Sequence, residues 1–377
     1  MTGATPTAFF LYRDSPLRRE ALRLGAGSGE RYSLYGLDEV VAAGFDVRHN
    51  LEAGFEAGIA ASSAGSLLHR GVSLLGGYSG DFRGVLGCRR ELNRADVVFS
   101  TVDTVGIPAT LLARSGLVRP PIVYAAIGLP ERLAQLRNER ARQLYRGAFR
   151  RLHAIVAYGA GEVSALREWL GADGPPVVFV PFGVDTGYFR PDSSREPAVD
   201  VLSVGADPRR DHELLVEIAR AHPEWSFLVV AARENAGTLE SAPSNVRVEL
   251  DVPLSVVRDH LLAARVVLLP VRDNSYSGAT TVLLQSMASG KPVVVSRTAA
   301  IADGYHLASG ENCVLVAPGH GAALGEAVAG LLADPARAAA IGAAARETVE
   351  RHLAWARYGD AIRGLLLSAC GRTTVAA

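Results

Sequence analysis

The sequence predicts an α/β protein of two doubly wound domains, each a parallel sheet covered on both faces by helices. Three observations carry this. Short β-branched or aromatic runs alternate with longer amphipathic segments along most of the chain. The rhythm pauses at a Pro-, Gly- and Ser-rich passage, residues 181–194, and then restarts. With 377 residues, the chain is too long for one ordinary core and suits two of similar size.

In chain order, the strands expected before the passage are Ala8–Tyr12, Phe45–His49, Val97–Ser100, Ile122–Ala125, Ala154–Ala157 and Val177–Val180. After it they are Val199–Val204, Ser226–Ala231, Val246–Glu249, Val266–Pro270, Val293–Ser296 and Cys313–Val316. Most are apolar throughout rather than alternating, as strands buried on both faces must be. Helical patterns fall between them at Tyr35–Ala43, Arg140–Arg151, Gly161–Leu170, His212–Ala221 and Leu254–Ala263. The tail Arg346–Leu367 reads as one helix, which is expected to dock back on the first domain. These elements give an N-terminal domain over 1–187, joined by the helix at about 355–377, and a C-terminal domain over 188–354. Residues 54–90 mix glycine with apolar residues and fit neither period, so a packed segment and an acceptor loop both stay open.

Composition narrows the function. A 49% hydrophobic, 21% charged chain belongs to the globular class and not the disordered one. A formal net charge of zero provides no field to recruit nucleic acid or an anionic membrane, so no nucleic-acid partner is expected. Cys88, Cys313 and Cys370 stand far apart in no metal-ligand spacing, which fits a reducing cytoplasm without a disulfide framework. The first residues lack the pattern of a signal peptide. No stretch approaches the roughly 20 apolar residues of a membrane span. The expectation is a cytoplasmic monomer or homodimer. Arginines from Arg132 to Arg151 leave a peripheral membrane contact open beside the simpler reading of a solvated face. Lys291 is the sole lysine, a bias typical of GC-rich bacterial genomes.

The most informative stretch runs from Ser275 to Ser296. It follows the strand Val266–Pro270 and opens a helix at Ser277–Ala279, with Ser277 as expected N-cap and Gly278 allowing close backbone approach. Free N–H groups of Ala279, Thr280 and Thr281 at such a start form an anion site suited to a nucleotide diphosphate. Gly290 sits where a helix-terminating glycine belongs, and Pro292 blocks continuation. Crevices of open α/β sheets lie at the carboxyl ends of strands, which also makes this position a ligand candidate.

Gln285-Ser286-Met287-Ala288-Ser289-Gly290-Lys291-Pro292-Val293-Val294 resembles the signature of the large retaining GT-B glycosyltransferase family that includes sucrose synthases and bacterial mannosyltransferases, the family 4-like group. In that pattern two glutamates with seven residues between them flank the helix start; here Ser277 and Gln285 occupy their positions. The stretch Val177–Pro191 resembles the family's interdomain passage, and Val201-Leu202-Ser203-Val204-Gly205 its first donor-domain strand. The resemblance covers about residues 154–350. It implies a GT-B fold, with two Rossmann-like domains facing across a cleft, and transfer of a sugar from a nucleotide-diphosphate donor with retention of configuration. No metal or other cofactor is implied. Arg209 and Arg210 fall near the family's phosphate-facing cations, and Arg210 is the expected clamp, on a loop where its truncation should spare the fold. The implied donor set is Gly205, Arg209, Arg210, Ser277, Gly278, Ala279, Thr280, Thr281 and Gln285, with Ser277 beside the reacting sugar.

On the acceptor side the family's histidine is missing from Val123–Glu131. Tyr124, Glu131 and Gly27 of the Gly25–Gly29 run are candidate acceptor contacts, and the strand-end residues His49 and Asp103 candidate catalytic groups, each with a structural reading beside it. The acceptor is expected to be a small molecule, a natural product or cell-envelope precursor. A non-catalytic GT-B partner subunit and a nucleotide-sugar epimerase on the same fold are the alternatives.

Overall fold

The computed structural model describes residues 5–25, 27–52, 59–274 and 278–372. The chain divides into two compact units: one runs to Val180 and takes in the chain again from Tyr358, and the other is Pro181–Arg357.

In the first unit the order is β1 (Thr7–Leu11), α1 (Pro16–Leu24), α2 (Leu37–Ala42), β2 (Asp46–His49), α3 (Ile59–Leu74), α4 (Phe82–Gly87), α5 (Arg89–Leu92), β3 (Val97–Ser100), α6 (Asp103–Arg114), β4 (Ile122–Ala125), α7 (Leu129–Ala134), α8 (Glu139–Phe149), β5 (Ala154–Ala157), α9 (Ala160–Leu170) and β6 (Val177–Phe179). The second unit holds β7 (Val199–Gly205), α10 (His212–Ala221), β8 (Phe227–Ala231), α11 (Ala236–Leu239), β9 (Val246–Leu250), α12 (Leu254–Ala263), β10 (Ala264–Leu269), α13 (Thr280–Ala288), β11 (Val293–Ser296), β12 (Val314–Val316), α14 (Gly321–Ala333) and α15 (Pro335–His352). Helix α16 (Trp355–Ala369) closes the chain.

All twelve expected strands are present, and every pairing between them is parallel. The sheet orders are β2-β1-β3-β4-β5-β6 and β12-β11-β10-β7-β8-β9. Position in the sheet explains the sequence of each strand. Central β3, β4, β5 and β11 are buried throughout and carry almost only apolar residues. Edge strands β2 and β9 admit Asp46, Arg48, Arg247 and Glu249, whose charges suit a half-solvated edge.

Each sheet order reverses once. In the first unit the reversal falls between β1 and β3, and in the second between β7 and β10. At such a switch point successive connections leave for opposite faces, and their loops part to form a crevice outside the carboxyl ends of the strands.

Two regions differ from the sequence reading. Of the stretch 54–90, residues 54–58 lie outside the described residues. From residue 59 it is a packed segment and not a loop, but a helical one, α3, α4 and α5, with Val72, Phe82 and Val85 in the core of the first unit. Glycines at close helix contacts had blurred the period. The expected single tail helix is two. It breaks at Leu353–Ala354, where Val184 N donates to Leu353 O and Trp355 N to Val184 O at 2.9 and 2.8 Å. From Tyr358 onward the chain groups with the first unit, the Tyr358 hydroxyl 2.9 Å from that of Tyr158.

Glu162 is buried in the first turn of α9 (1% exposed), where one carboxyl oxygen accepts from Tyr158 N and Gly159 N at 3.2 and 3.0 Å. Burial pushes its carboxyl up to about 7, against the pull of those N–H groups. An acid with a raised folded-state value stabilises most below its unfolded value and loses that contribution as pH rises through the folded one. Thermal stability should therefore fall, by up to roughly 3 kcal/mol from this group, as pH climbs from about 4.5 to above 7. Glu162→Gln should flatten that part of the pH profile in a melting series.

Candidate donor site at the second switch point

Strand β7 ends at Gly205 and β10 at Leu269, side by side in the sheet. The loops that follow them are joined by main-chain hydrogen bonds. Asp211 N donates to Pro270 O at 3.0 Å, Arg272 N donates to Arg209 O at 2.9 Å, and Arg210 and Val271 form an antiparallel bridge. The Asp207 carboxylate accepts from Arg209 N, shaping the turn. Asp211 caps α10 by accepting from Leu214 N at 3.2 Å. Val271 N donates to Ser296 Oγ, which ties the third carboxyl end into the same floor.

Arg210 lies within this floor, only 4% exposed. Its side chain crosses the open α-carbon of Gly205, where an added Cβ would overlap the guanidinium Nε. Glycine at the strand end thus leaves room for the cation. The expectation that Arg210 sits on a loop and contributes little to the core is corrected: its bridge to Val271 and its burial make it part of the packing. His212 opens α10 directly beyond (5% exposed), and its Nε2 has no hydrogen-bond partner among the described residues. Burial, then the charge of Arg210, holds its imidazole down to about 4, hence neutral at pH 7. Sequence reading missed His212; the N-capping aspartate before it was the available signal.

Helix α13 begins at Thr280, with Ala279 at the cap and no side-chain capping bond. This replaces the expected start at Ser277–Ala279; Ser277 itself lies outside the described residues. Gly278 is half-buried and Thr280 is 1% exposed, its Oγ1 without a hydrogen-bond partner among the described residues. Thr281 is half-buried beside it, and Gln285 is buried one turn further along. The helix ends in a Schellman motif: Gly290 N donates to Met287 O and Lys291 N to Ser286 O, with Gly290 at φ +71°. Lys291 Nζ donates to Leu262 O and Ala264 O at 2.7 and 3.0 Å. The sole lysine thus holds the start of β10 in place.

The structure therefore brings Gly205, Arg209, Arg210, Gly278, Ala279, Thr280, Thr281 and Gln285 to two helix starts on the carboxyl side of one switch point. Such starts present unbonded N–H groups and positive dipole ends. Among the described residues no group of three or more His, Cys, Asp or Glu is placed to hold a metal ion.

The acceptor-side candidates are scattered in the first unit. Asp103 opens α6 and is 2% exposed. It accepts from the Tyr124 hydroxyl at 2.6 Å, Ile127 N at 3.2 Å and Arg132 Nε at 2.8 Å. Burial raises its carboxyl above the usual range, against those three partners. Tyr124 is fully buried with its hydroxyl donated to Asp103, so it is corrected from an acceptor contact to a member of this network. His49 ends β2 half-buried, its ring edge-on to Tyr12, and burial lowers its imidazole. Glu131 lies half-buried in the first turn of α7, and Gly27 is exposed in a turn at φ +88°. The arginine run is partly tied down: Arg132 by Asp103, Arg142 by Leu136 O, Arg146 by Trp169 O and Arg150 by Asp173.

Comparison with known proteins places this geometry in a class. Residues 199–334, within the second unit, match the family model described as Glycosyl transferases group 1. Solved structures with the same two-sheet build are GT-B proteins. Sucrose-phosphate synthase from Thermosynechococcus elongatus superposes with a TM-score of 0.71 at 17% identity, over 97% of this chain and 98% of that one. HepE of Anabaena, solved with UDP-glucose, gives 0.69 at 15% identity over 96% and 99%. The chain has the GT-B fold.

Two named proteins give the more particular relationship. A D-inositol 3-phosphate glycosyltransferase of Kineococcus radiotolerans is 31% identical over 228 residues, 51% of this chain and 52% of that protein. A GDP-mannose-dependent α-(1-6)-phosphatidylinositol monomannoside mannosyltransferase of Mycolicibacterium smegmatis is 29% identical over 213 residues, 50% and 55%. The matches span about half the length of these relatives. Among the described residues no single helix is long and apolar enough to cross a membrane.

Proposed function

We propose that the protein is a glycosyltransferase that moves a sugar from a nucleoside-diphosphate donor to a small-molecule acceptor, with retention of anomeric configuration. The observation that carries this is the joined pair of loops after β7 and β10, which sets buried Arg210 just before the start of α10 and against Val271, in the loop that leads to α13. The names of the relatives and the matched domain support it.

In this reading the donor diphosphate lies against the first N–H groups of α13 and the guanidinium of Arg210. The bond from the anomeric carbon to the diphosphate oxygen breaks as the acceptor oxygen bonds to that carbon on the same face, and the acceptor proton passes to the leaving diphosphate. Negative charge grows on that leaving group, and fixed N–H dipoles with a buried cation stabilise it without reorganising. Arg210 and the helix starts supply this stabilisation without a metal. Gln285 takes a ribose hydroxyl, donating and accepting without the charge of a glutamate.

Thermal stabilisation by a panel of nucleoside diphosphates and their sugars tests the donor site. A compound that binds only the folded state raises the midpoint by mass action, by about 2.7 kcal/mol at a hundred times its Kd. One base should stabilise well above the others. No shift with any of them would favour a non-catalytic module on the same fold, and conversion of donor without acceptor would favour an epimerase.

A further inference from the structure

Two buried side chains at the starts of α10 and α13 hold polar atoms that the protein itself does not satisfy. His212 opens α10 and Thr280 opens α13, both more than nine-tenths buried. Neither His212 Nε2 nor Thr280 Oγ1 has a hydrogen-bond partner among the described residues. A polar atom left so in a folded interior costs free energy, and native proteins keep few of them. Asn235 and Arg258 of the same unit also have one, but on half-buried residues.

Position in the helix explains both. A threonine inside a helix can pass its hydroxyl to the carbonyl four residues back, as Thr110 does to Gly106 O at 2.7 Å and Thr348 to Ala344 O at 2.8 Å. Thr280 is the first residue of its helix, so no helical turn lies behind it. His212 follows Asp211, the cap of α10, and stands in the same position. Helical side chains lean toward the N-terminus of their helix. At the first residue that lean carries the side chain past the helix start, over the ground that the unbonded N–H groups face. The loops leading to the two starts are joined, Arg272 N donating to Arg209 O at 2.9 Å.

We propose that His212 and Thr280 are side-chain contacts to the donor, His212 Nε2–H and the Thr280 hydroxyl donating to oxygens of its diphosphate. These contacts rest on the glycosyltransferase reading above and add two side chains to its N–H groups and guanidinium. A hydrogen bond to a charged oxygen is stronger than one to a neutral partner, so these two atoms gain most from an anionic ligand. His212 serves as a neutral donor at pH 7. Burial holds its imidazole down to about 4, with Arg210 and Arg272 pushing the same way and Asp211 opposing them. Arg272 is shared with Glu213, to which it donates at 2.9 Å. A diphosphate beside Nε2 favours the protonated ring. The titration of His212 therefore moves up in the complex, and binding takes in a proton as pH falls.

Isothermal titration of the purified full chain with UDP, GDP, ADP, CDP and dTDP, beside melting of the ligand-free proteins, tests this. Thr280→Val and His212→Leu each remove an unpartnered polar atom and keep an apolar side chain of similar size. Their ligand-free midpoints should match or exceed that of the wild type. Affinity for the diphosphate that binds the wild type should fall at least about tenfold in each. His212→Gln keeps a donor without a titrating ring, so wild-type affinity should rise relative to that of His212→Gln as pH falls from about 7 to about 5. Wild-type affinity in both Thr280→Val and His212→Leu overturns the contacts and leaves the donor reading standing. So does a lowered ligand-free midpoint with affinity kept, which marks a structural role. A parallel pH course for wild type and His212→Gln overturns the His212 contact. Binding of none of the five by the wild type overturns the donor reading, and these contacts with it.

Discussion

Gly205→Ala is expected to lower transfer on the order of 10²-fold while the protein stays folded, because one added methyl displaces the Arg210 guanidinium that the proposed donor site sets against the phosphates. Gly205 does not have a positive φ, so alanine meets no backbone strain there. The conflict is with the Arg210 side chain, whose Nε lies where the new Cβ must go. Overpacking of this kind costs about 1–3 kcal/mol, against a two-domain stability well above that, so melting should remain cooperative. Arg210→Ala removes the same charge but also empties a buried position bridged to Val271, so it mixes a packing loss with the chemical one. The pair of variants separates the two effects. Both should lose nucleotide-dependent stabilisation and kcat/KM for the sugar donor, with Arg210→Ala melting lower. Wild-type turnover in Gly205→Ala would detach Arg210 from the donor altogether.

The glycine and the arginine were each visible in the sequence, but their contact was not. Apolar runs such as Ile122–Ala125 announce themselves because both faces of a central strand are buried, and β3, β4, β5 and β11 were legible to the residue. The order of those strands is set by the handedness and length of the connections, so the switch point that unites Gly205 with α13 appears only in three dimensions. Boundaries failed where a local signal was overruled. Ser277 looked like a cap, yet α13 starts three residues later with no side-chain cap at all. The tail looked continuous, yet pairing with Val184 interrupts it. The 59–92 helices were hidden because Gly65, Gly77 and Gly80 serve close approach and so dilute the apolar period. Polar residues misled in the other direction: Tyr124 and Asp103 have the chemistry of a site and spend it on each other.

That internal pairing sets the second large effect, on stability. Asp103→Ala should cost about 3–5 kcal/mol, because it strands the fully buried Tyr124 hydroxyl, Ile127 N and the Arg132 guanidinium at once. Arg132 retains its stacking on Tyr78, 3.9 Å from the ring centroid, and its half-exposed end can reach water, so the larger share of the loss belongs to the tyrosine and the amide. Asp103→Asn keeps the shape and an acceptor for Tyr124, and should lose less than half as much. Tyr124→Phe in the Asp103→Ala background removes the stranded donor and should recover part of the loss, giving a coupling energy of at least about 0.5 kcal/mol in a double-mutant cycle. Urea denaturation of five proteins, the wild type, Asp103→Ala, Asp103→Asn, Tyr124→Phe and the Asp103→Ala, Tyr124→Phe double variant, measures this directly. A catalytic Asp103 would behave otherwise: Asp103→Asn would keep its midpoint and lose kcat. Equal midpoints across all five proteins would mean the network carries no stability, and would return Asp103 to the acceptor site.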